Sequence, residues 1–395
     1  MLSRYNPLYL WWRDIHKLTL FAYCSLLFIG LMSVFSASYN ASSSLGVENL
    51  YFFKKQVVFI LIAFCMFFWL SCQSTEFIIK FAQIGLICSL LSLLAVFAMS
   101  GKSVKGAERW LNLRIITIQP SEILKPFFIV ISAYLYYFYE KTRHCLFPIL
   151  YGLLFLCIIF LLLLQPDFGM VLTYTFLTII LVLMSDVRFK TLVYIAIPVI
   201  TILIIAMFSL SHVKYRIVHF FQGEKGYQTH IAYNAIKNGG LLGKGLGVGE
   251  ISKKIPDSHN DFIFARIGEE MGGIFLIIIV MIFAMLIFSN LTYVQKEYNA
   301  YAEISFIDHP RFEKYQMSTI VDSYIIILSM AMIFFEAMVN VSVNLNLIPP
   351  KGMVLPFISY GGSSMLAHGI LMGFVCAANR KKYHFLSINQ IHLIA

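Results

Sequence analysis

Residues 255 to 270, IPDSHNDFIFARIGEE, place six ionisable side chains in sixteen positions: Asp257, His259, Asp261, Arg266, Glu269 and Glu270. They run directly into MGGIFLIIIVMIFAMLIF, which is apolar enough to continue across a bilayer. Ionisable groups carried into a spanning helix are strongly disfavoured, so each is a functional candidate. Asp261 opens the predicted helix, where the macrodipole favours a carboxylate. Lys125 lies five residues after Pro120, roughly 7 Å into its own predicted helix at 1.5 Å per residue. The two sit at matching depth and are candidates to pair, as a structural lock between helices or as a catalytic couple. Placement alone leaves both readings open.

Other residues extend the pattern. Arg266 and Glu270 are four apart and can neutralise each other. Glu336, Asn340 and Asn344 recur every fourth residue, one polar stripe that must face the bundle interior or a wet cavity. Packing is the simpler reading for the two asparagines. Asp261, Ala265, Gly268 and Gly272 form a small-residue stripe suited to close helix packing. Two polar segments carry cations: Lys102, Lys105, Arg109 and Arg114 in the first, and Lys214, Arg216, Lys225, Lys237, Lys244, Lys253 and Lys254 in the second. They are either solvated faces or a site for an anionic ligand, since Lys and Arg recognise phosphate. The stretch NGGLLGKGLGVGE has neither G-x-x-x-x-G-K-[ST] nor G-x-G-x-x-G spacing, and reads as a flexible, tightly turning loop rather than a phosphate cradle.

The elements that hold these residues are helices in lipid. The chain is 59% hydrophobic and 13% charged, where a soluble domain would be about 25% charged. Ten apolar runs are long enough to span: 18–38, 56–71, 77–99, 120–138, 147–164, 169–185, 191–210, 261–289, 319–345 and 364–379. The expectation is an all-α, polytopic integral membrane protein of about ten helices forming one domain over 1–395. Arg4, Arg13 and Lys17 before the first run, and Arg380, Lys381 and Lys382 after the last, put both termini in the cytoplasm. Lys141–Arg143 and Arg188–Lys190 fall on the same side. Residues 100–119 and the large 211–260 loop between helices seven and eight are then outside, and 290–318 inside. The first apolar run reads as a retained anchor rather than a cleaved signal. The net charge of +10 suits anionic membrane lipids and topology signals, not nucleic acid. The seven cysteines lie in or beside apolar runs and suggest neither a disulfide framework nor a metal cluster.

Four motifs in order resemble one family: GAERW…QPSEILKP (106–126), QPDFG (165–169), GKGLG…IPDSHNDFIFA (243–265) and PPKGMVLPFISYGGSS (349–364). The chain resembles the SEDS family of shape, elongation, division and sporulation proteins over essentially its whole length. Lys351–Gly352 resembles the division branch, with the rod-shape branch as the alternative.

The resemblance implies a peptidoglycan glycosyltransferase of the bacterial cytoplasmic membrane, its active site facing outward. It would polymerise lipid II into glycan strands and release undecaprenyl diphosphate. It implies a class B penicillin-binding protein transpeptidase as partner, with other divisome proteins. The family's catalytic carboxylate maps to Asp261 and its lysine after QPSE to Lys125. Asp261 is then the general base for the acceptor hydroxyl, and Lys125 tunes or positions it. Arg109, Lys102 and Lys105 hold the diphosphate; Glu122, His259, Lys351, Ser359 and Ser363 complete the substrate-binding set. The leaving charge needs these cations or a divalent metal, magnesium or manganese; no other cofactor is implied. A flippase for the same lipid, which would need polar access from both faces, and a non-catalytic scaffold recruiting a transpeptidase are the rival readings. Glu269 and Glu270 are expected to be structural.

Overall fold

The computed structural model describes residues 7–45, 50–99, 109–112, 117–185, 227–256, 258–304, 310–349 and 352–380. In chain order the helices are α1 (Pro7–Asp14), α2 (Lys17–Leu45), α3 (Tyr51–Ser71), α4 (Thr75–Met99), α5 (Pro120–Thr142), α6 (Leu146–Leu164), α7 (Phe168–Met184), α8 (Tyr227–Gly239), α9 (Ile263–Met271), α10 (Gly273–Ile304), α11 (Pro310–Asn344) and α12 (Gly362–Ala378). A short antiparallel ribbon pairs β1 (Leu111–Asn112) with β2 (Thr117–Ile118), Leu111 opposite Ile118. Each predicted run within the described residues is helical apart from end residues, the eighth in two pieces; 191–210 lies outside the described residues. Six of the described helices are long and apolar enough to cross a membrane; α7 and α12 are apolar but shorter. α5 has the length to cross and carries Glu122 and Lys125 on its first two turns.

The layering follows from which faces meet lipid. Phe21 and Phe28 on α2, Leu61 on α3, Ile84 and Leu91 on α4, Leu153 and Phe160 on α6, and Ile277 and Met281 on α10 are exposed. With no water in the hydrocarbon, such side chains are stable outside, and polar groups turn inward to find partners. α5 and α12 are the inner helices. Ser121–Glu122 and Leu124–Ala133 are buried on α5, and nearly all of Ser363–Ala378 on α12. α12 lies along α3 and also touches α5 and α11. Pro120 starts α5 at a position whose N–H would be orphaned anyway.

The structure corrects the predicted eighth helix. The 261–289 run is not continuous: α9 ends at Met271, Gly272 takes φ 86°, and α10 begins at Gly273. Asp261 therefore lies in the turn before α9 rather than opening a long helix. The break occurs because the 240–243 backbone packs into it. Gly240 O accepts from Gly273 N at 2.9 Å and Leu241 O from Ile274 N at 3.2 Å. The 290–318 segment, expected as a loop, is helical through Ile304 and again from Pro310, because α10 and α11 run past their apolar cores. The 211–260 loop contains α8 and a 3-10 turn, Ser252–Lys254.

Close backbone approach fixes the segment before α12. A Cβ on Gly30 of α2 would stand 2.7 Å from the Ile358 Cα and from Phe357 O. Phe357 itself holds φ 65° and packs edge-on against Tyr23 at 5.3 Å.

Gly272→Ala tests the helix break. Its Cβ would clash with Leu241 O with φ at 86°, so a loss of more than ~1 kcal/mol is expected. Gly240→Ala, also at positive φ but with nothing within 4 Å, should lower the thermal midpoint less. Unfolding in detergent compares the two.

Candidate functional site

Three consecutive carbonyls of the turn at 259–261 are each tied to the segment around α11 and α12. His259 O accepts from Tyr360 N at 3.0 Å. Asn260 O accepts from Ser359 Oγ at 2.8 Å. Asp261 O accepts from two amides on α11, Asn340 Nδ2 at 2.9 Å and Asn344 Nδ2 at 3.1 Å. The donors are themselves held. Asn340 Nδ2 also reaches Met353 O at 2.7 Å, Asn344 Oδ1 accepts Ala265 N at 3.0 Å, and Ser359 Oγ accepts Leu355 N at 2.8 Å. The His259 ring packs against Phe52 at 4.4 Å and Tyr360 at 5.5 Å. Asp261 is half-buried, and Gly352 lies against its carboxylate: a Cβ there would be 3.5 Å from Oδ2.

Lys125 does not take Asp261 as its partner. Its ammonium lies 2.6 Å from Glu122 Oε2 and 2.6 Å from Glu336 Oε1. Glu336 Oε2 then meets His368 Nε2 at 2.9 Å, and His368 Nδ1 meets Ser364 O at 2.7 Å. The expected pairing fails because Glu336, one turn from Asn340 on the same face of α11, presents a buried carboxylate to α5 directly. Asp261 belongs to the turn that Asn340 grips, about 6 Å further along the α11 axis at 1.5 Å per residue. His368 Nδ1 also meets Ser364 Oγ at 3.2 Å, so the ring ties Glu336 on α11 to the first turn of α12.

A third group joins the two. Arg109 Nη1 lies 3.6 Å from Asp167 Oδ1, and its Nη2 donates to Pro166 O. Asp167 Oδ2 also accepts from Gln119 Nε2 at 3.0 Å and Ser121 Oγ at 3.4 Å. Gln119 N donates to Ser363 Oγ at 2.8 Å. Polar contacts thus run from Arg109 through Asp167 and Gln119 to Ser363, at the start of the helix that follows Ser359 and Tyr360. Of the sequence-derived set, the structure brings together His259, Asp261 and Ser359 in one cluster, Glu122 and Lys125 in a second, and Arg109 and Ser363 in the third. Lys102, Lys105 and Lys351 lie outside the described residues.

Sequence reasoning left Asp167, Glu336, His368, Asn340 and Asn344 without a site role. Asp167 stood in a quoted motif, and Glu336 and the asparagines in a recognised stripe. His368 carried a signal too: an ionisable residue inside an apolar run. Arg266 and Glu270 pair as spacing implied, at 3.0 Å, and tie α9 to Ser36 of α2. Glu269 grips the polar loop, accepting from Asn238 Nδ2 at 2.9 Å, Ile251 N at 3.0 Å and Ser252 N at 2.7 Å. Among the described residues no three His, Cys, Asp or Glu side chains converge as a metal-ligand set.

The fold and the site define a multi-pass membrane protein with a half-buried carboxylate on a pinned turn above a buried ion cluster. Residues 17–384 match the FtsW/RodA/SpoVE family model, described as cell cycle proteins. The chain belongs to that family, the SEDS proteins. It is 29% identical over 375 residues to the probable peptidoglycan glycosyltransferase FtsW of Caulobacter vibrioides, covering 94% of this chain and 91% of that one. It is 31% identical over 358 residues to the protein of the same name from Borreliella burgdorferi, with coverage of 88% and 91%. A solved structure concerned with coordination of polymerization and crosslinking by a peptidoglycan synthase complex matches at TM-score 0.69 and 21% identity, over 93% of this chain and 98% of that one. At that identity the likeness speaks for the fold.

Two outcomes test the site's electrostatics. Lys125→Ala would leave two buried carboxylates facing each other, with a loss of about 3–5 kcal/mol expected. Adding Glu122→Gln and Glu336→Gln to Lys125→Met should recover part of it, read as the thermal midpoint in detergent. The second concerns Glu269, on α9 ahead of the α10 span. Burial alone would raise its pKa. The bonds from Ser252, Asn238 and the Ile251 and Ser252 amides outweigh this and hold it below the usual 4.5. A lowered folded-state value stabilises the docked loop above the unfolded pKa, and that stabilisation is lost as pH falls through the folded one. Protection factors of the Ile251 and Ser252 amides, taken relative to intrinsic exchange at each pH, should therefore fall on acidification below about pH 4.5, and Glu269→Gln should flatten the dependence.

Proposed function

We propose that this chain is a peptidoglycan glycosyltransferase that joins lipid II into glycan strands at the outer face of the bacterial cytoplasmic membrane, in septal synthesis, and releases undecaprenyl diphosphate. The observation that carries the reading is the turn at 259–261, whose three carbonyls are all engaged by neighbouring donors while Asp261 remains half-buried. Pinning the backbone on one side fixes where the carboxylate stands, which is what a base needs to meet one hydroxyl in one geometry. The whole-length similarity to proteins named as probable peptidoglycan glycosyltransferases supports the same class.

In this mechanism Asp261 removes the proton from the acceptor sugar hydroxyl as its oxygen attacks the anomeric carbon of the donor. The bond from that carbon to the diphosphate oxygen breaks, and the pair of electrons leaves with the diphosphate. A diphosphate is a good leaving group, so the second carboxyl of a glycosidase is not required. Arg109, oriented by Asp167, supplies cationic charge with Lys102, Lys105 and Lys351. A divalent cation would add to that charge; side chains of this chain perform each step described. His259, Ser359 and Ser363 shape the pocket wall. Lys125 acts through the Glu122–Glu336 cluster that supports α11.

The arginines and lysines flanking the first and last spans favour cytoplasmic termini and an outward-facing site. Likeness to a structure from a complex that coordinates polymerization with crosslinking supports a transpeptidase partner, a class B penicillin-binding protein, among other divisome proteins.

The test is glycan polymerisation from purified lipid II, with the partner present and crosslinking blocked. Wild type should yield polymer, and an equally folded Asp261→Asn should fall by at least ~10²-fold. Equal polymer from both would remove Asp261 as base. Lipid II movement across vesicles without polymer from either would favour the flippase.

A further inference from the structure

The glycine-rich loop between α8 and the 3-10 turn exposes a run of large apolar side chains. Leu241 is 71% exposed, Leu242 83%, Leu246 52% and Val248 58%. The polar character of the surrounding segment gives no reason for four such residues to face water. The loop is not free to fold them inward. Lys244 N donates to Glu269 O and Gly245 N to Glu270 O, each at 2.9 Å, beside the bonds from Gly273 and Ile274 to Gly240 O and Leu241 O.

Those bonds also set the loop's height. Gly273 and Ile274 are the first residues of a helix apolar enough to cross the membrane. The leucines are therefore fixed level with the first turn of a span. Ile274, whose amide binds Leu241, is itself exposed, as are Ile277 and Met281 below it. The loop's apolar face thus continues the lipid-facing stripe of α10 upward. Around it, Lys237, Lys244, Lys253 and Lys254 are exposed, against exposed Glu250. Apolar side chains at the depth of the acyl boundary, ringed by cations, are the pattern of an interfacial membrane anchor on anionic lipid.

We propose that the 240–249 loop inserts Leu241, Leu242, Leu246 and Val248 into the membrane interface while the lysines meet the phosphates of anionic phospholipids. The loop grips Glu269, and Glu269 holds Ile251 and Ser252 ahead of the Asp261 turn. Anchoring would therefore set the height of that turn above the bilayer, a consequence that rests on the proposed function; the anchoring itself does not.

The test uses the full chain in nanodiscs of phosphatidylcholine with or without phosphatidylglycerol. The six exposed native cysteines are changed to serine, and an environment-sensitive fluorophore is placed on Leu242→Cys or, separately, Val248→Cys. Met281→Cys, exposed within the span, is the lipid reference. The expected result is emission shifted toward that of the Met281 site, quenching by phospholipid carrying a shallow spin label, and protection from iodide. Phosphatidylglycerol should increase the lipid quenching, and Lys244→Gln with Lys253→Gln should remove the increase. Full iodide quenching with no lipid quenching at both positions would overturn the proposal. So would protection that arises only when a transpeptidase partner is added, or only on self-association, which would make the face a protein interface. None of these readings depends on polymerase activity.

Discussion

Burying charge inside a bundle dissolved in lipid is the constraint on which the rest of this structure depends. There is no water to complete a half-made ion pair, so each buried charge must find partners on neighbouring helices. α11 answers this with one stripe. Glu336 takes Lys125 and His368, and one turn on, Asn340 and Asn344 take the carbonyl of Asp261. A single rigid helix therefore carries both the ion cluster and the clamp on the candidate base. Displacing α11 to suit one would disturb the other.

The segment from Gly352 to Gly361 is the second support. It is pressed onto α2 where Gly30 leaves no room for a side chain, and it turns through Phe357 in a left-handed conformation. From there Ser359 and Tyr360 reach the Asn260 and His259 carbonyls, and Ser363 Oγ accepts from the Gln119 amide beside Asp167. Four motifs far apart in the chain thus meet through hydrogen bonds that are mostly to backbone. Residue identity at Ser359, Asn340 and Asn344 matters here through geometry: their side chains hold the backbone of the turn that carries Asp261.

Much of this was legible in the sequence, for physical reasons. Apolar runs in a membrane protein report their own length, so the helices among the described residues appear where they were expected, the eighth in two pieces. Asp261 and Lys125 stood out because ionisable groups are rare in such runs. Their partners were not legible. Spacing shows which residues share a face of one helix, as with Glu336, Asn340 and Asn344, but not which neighbouring helix that face meets. Lys125 was thus matched by depth to Asp261, when Glu336 and Glu122 were nearer. The break at Gly272 was hidden because the cause lies elsewhere: the 240–243 backbone fills the gap, and two adjacent glycines in an oily run read equally well as close packing. His368 was missed because a lone histidine among apolar residues has no pattern until Glu336 is placed beside it.

On the proposed function, the asparagine fork on α11 sets the geometry of Asp261 for the reaction. The most direct measurement is kcat and KM for lipid II with Asn340→Ala and Asn344→Ala combined, in a preparation shown to be folded and bound to its partner. The expected result is a kcat lower on the order of 10²-fold, as for a misplaced catalytic group, with KM little changed. A folded double variant that polymerises at the wild-type kcat would contradict it.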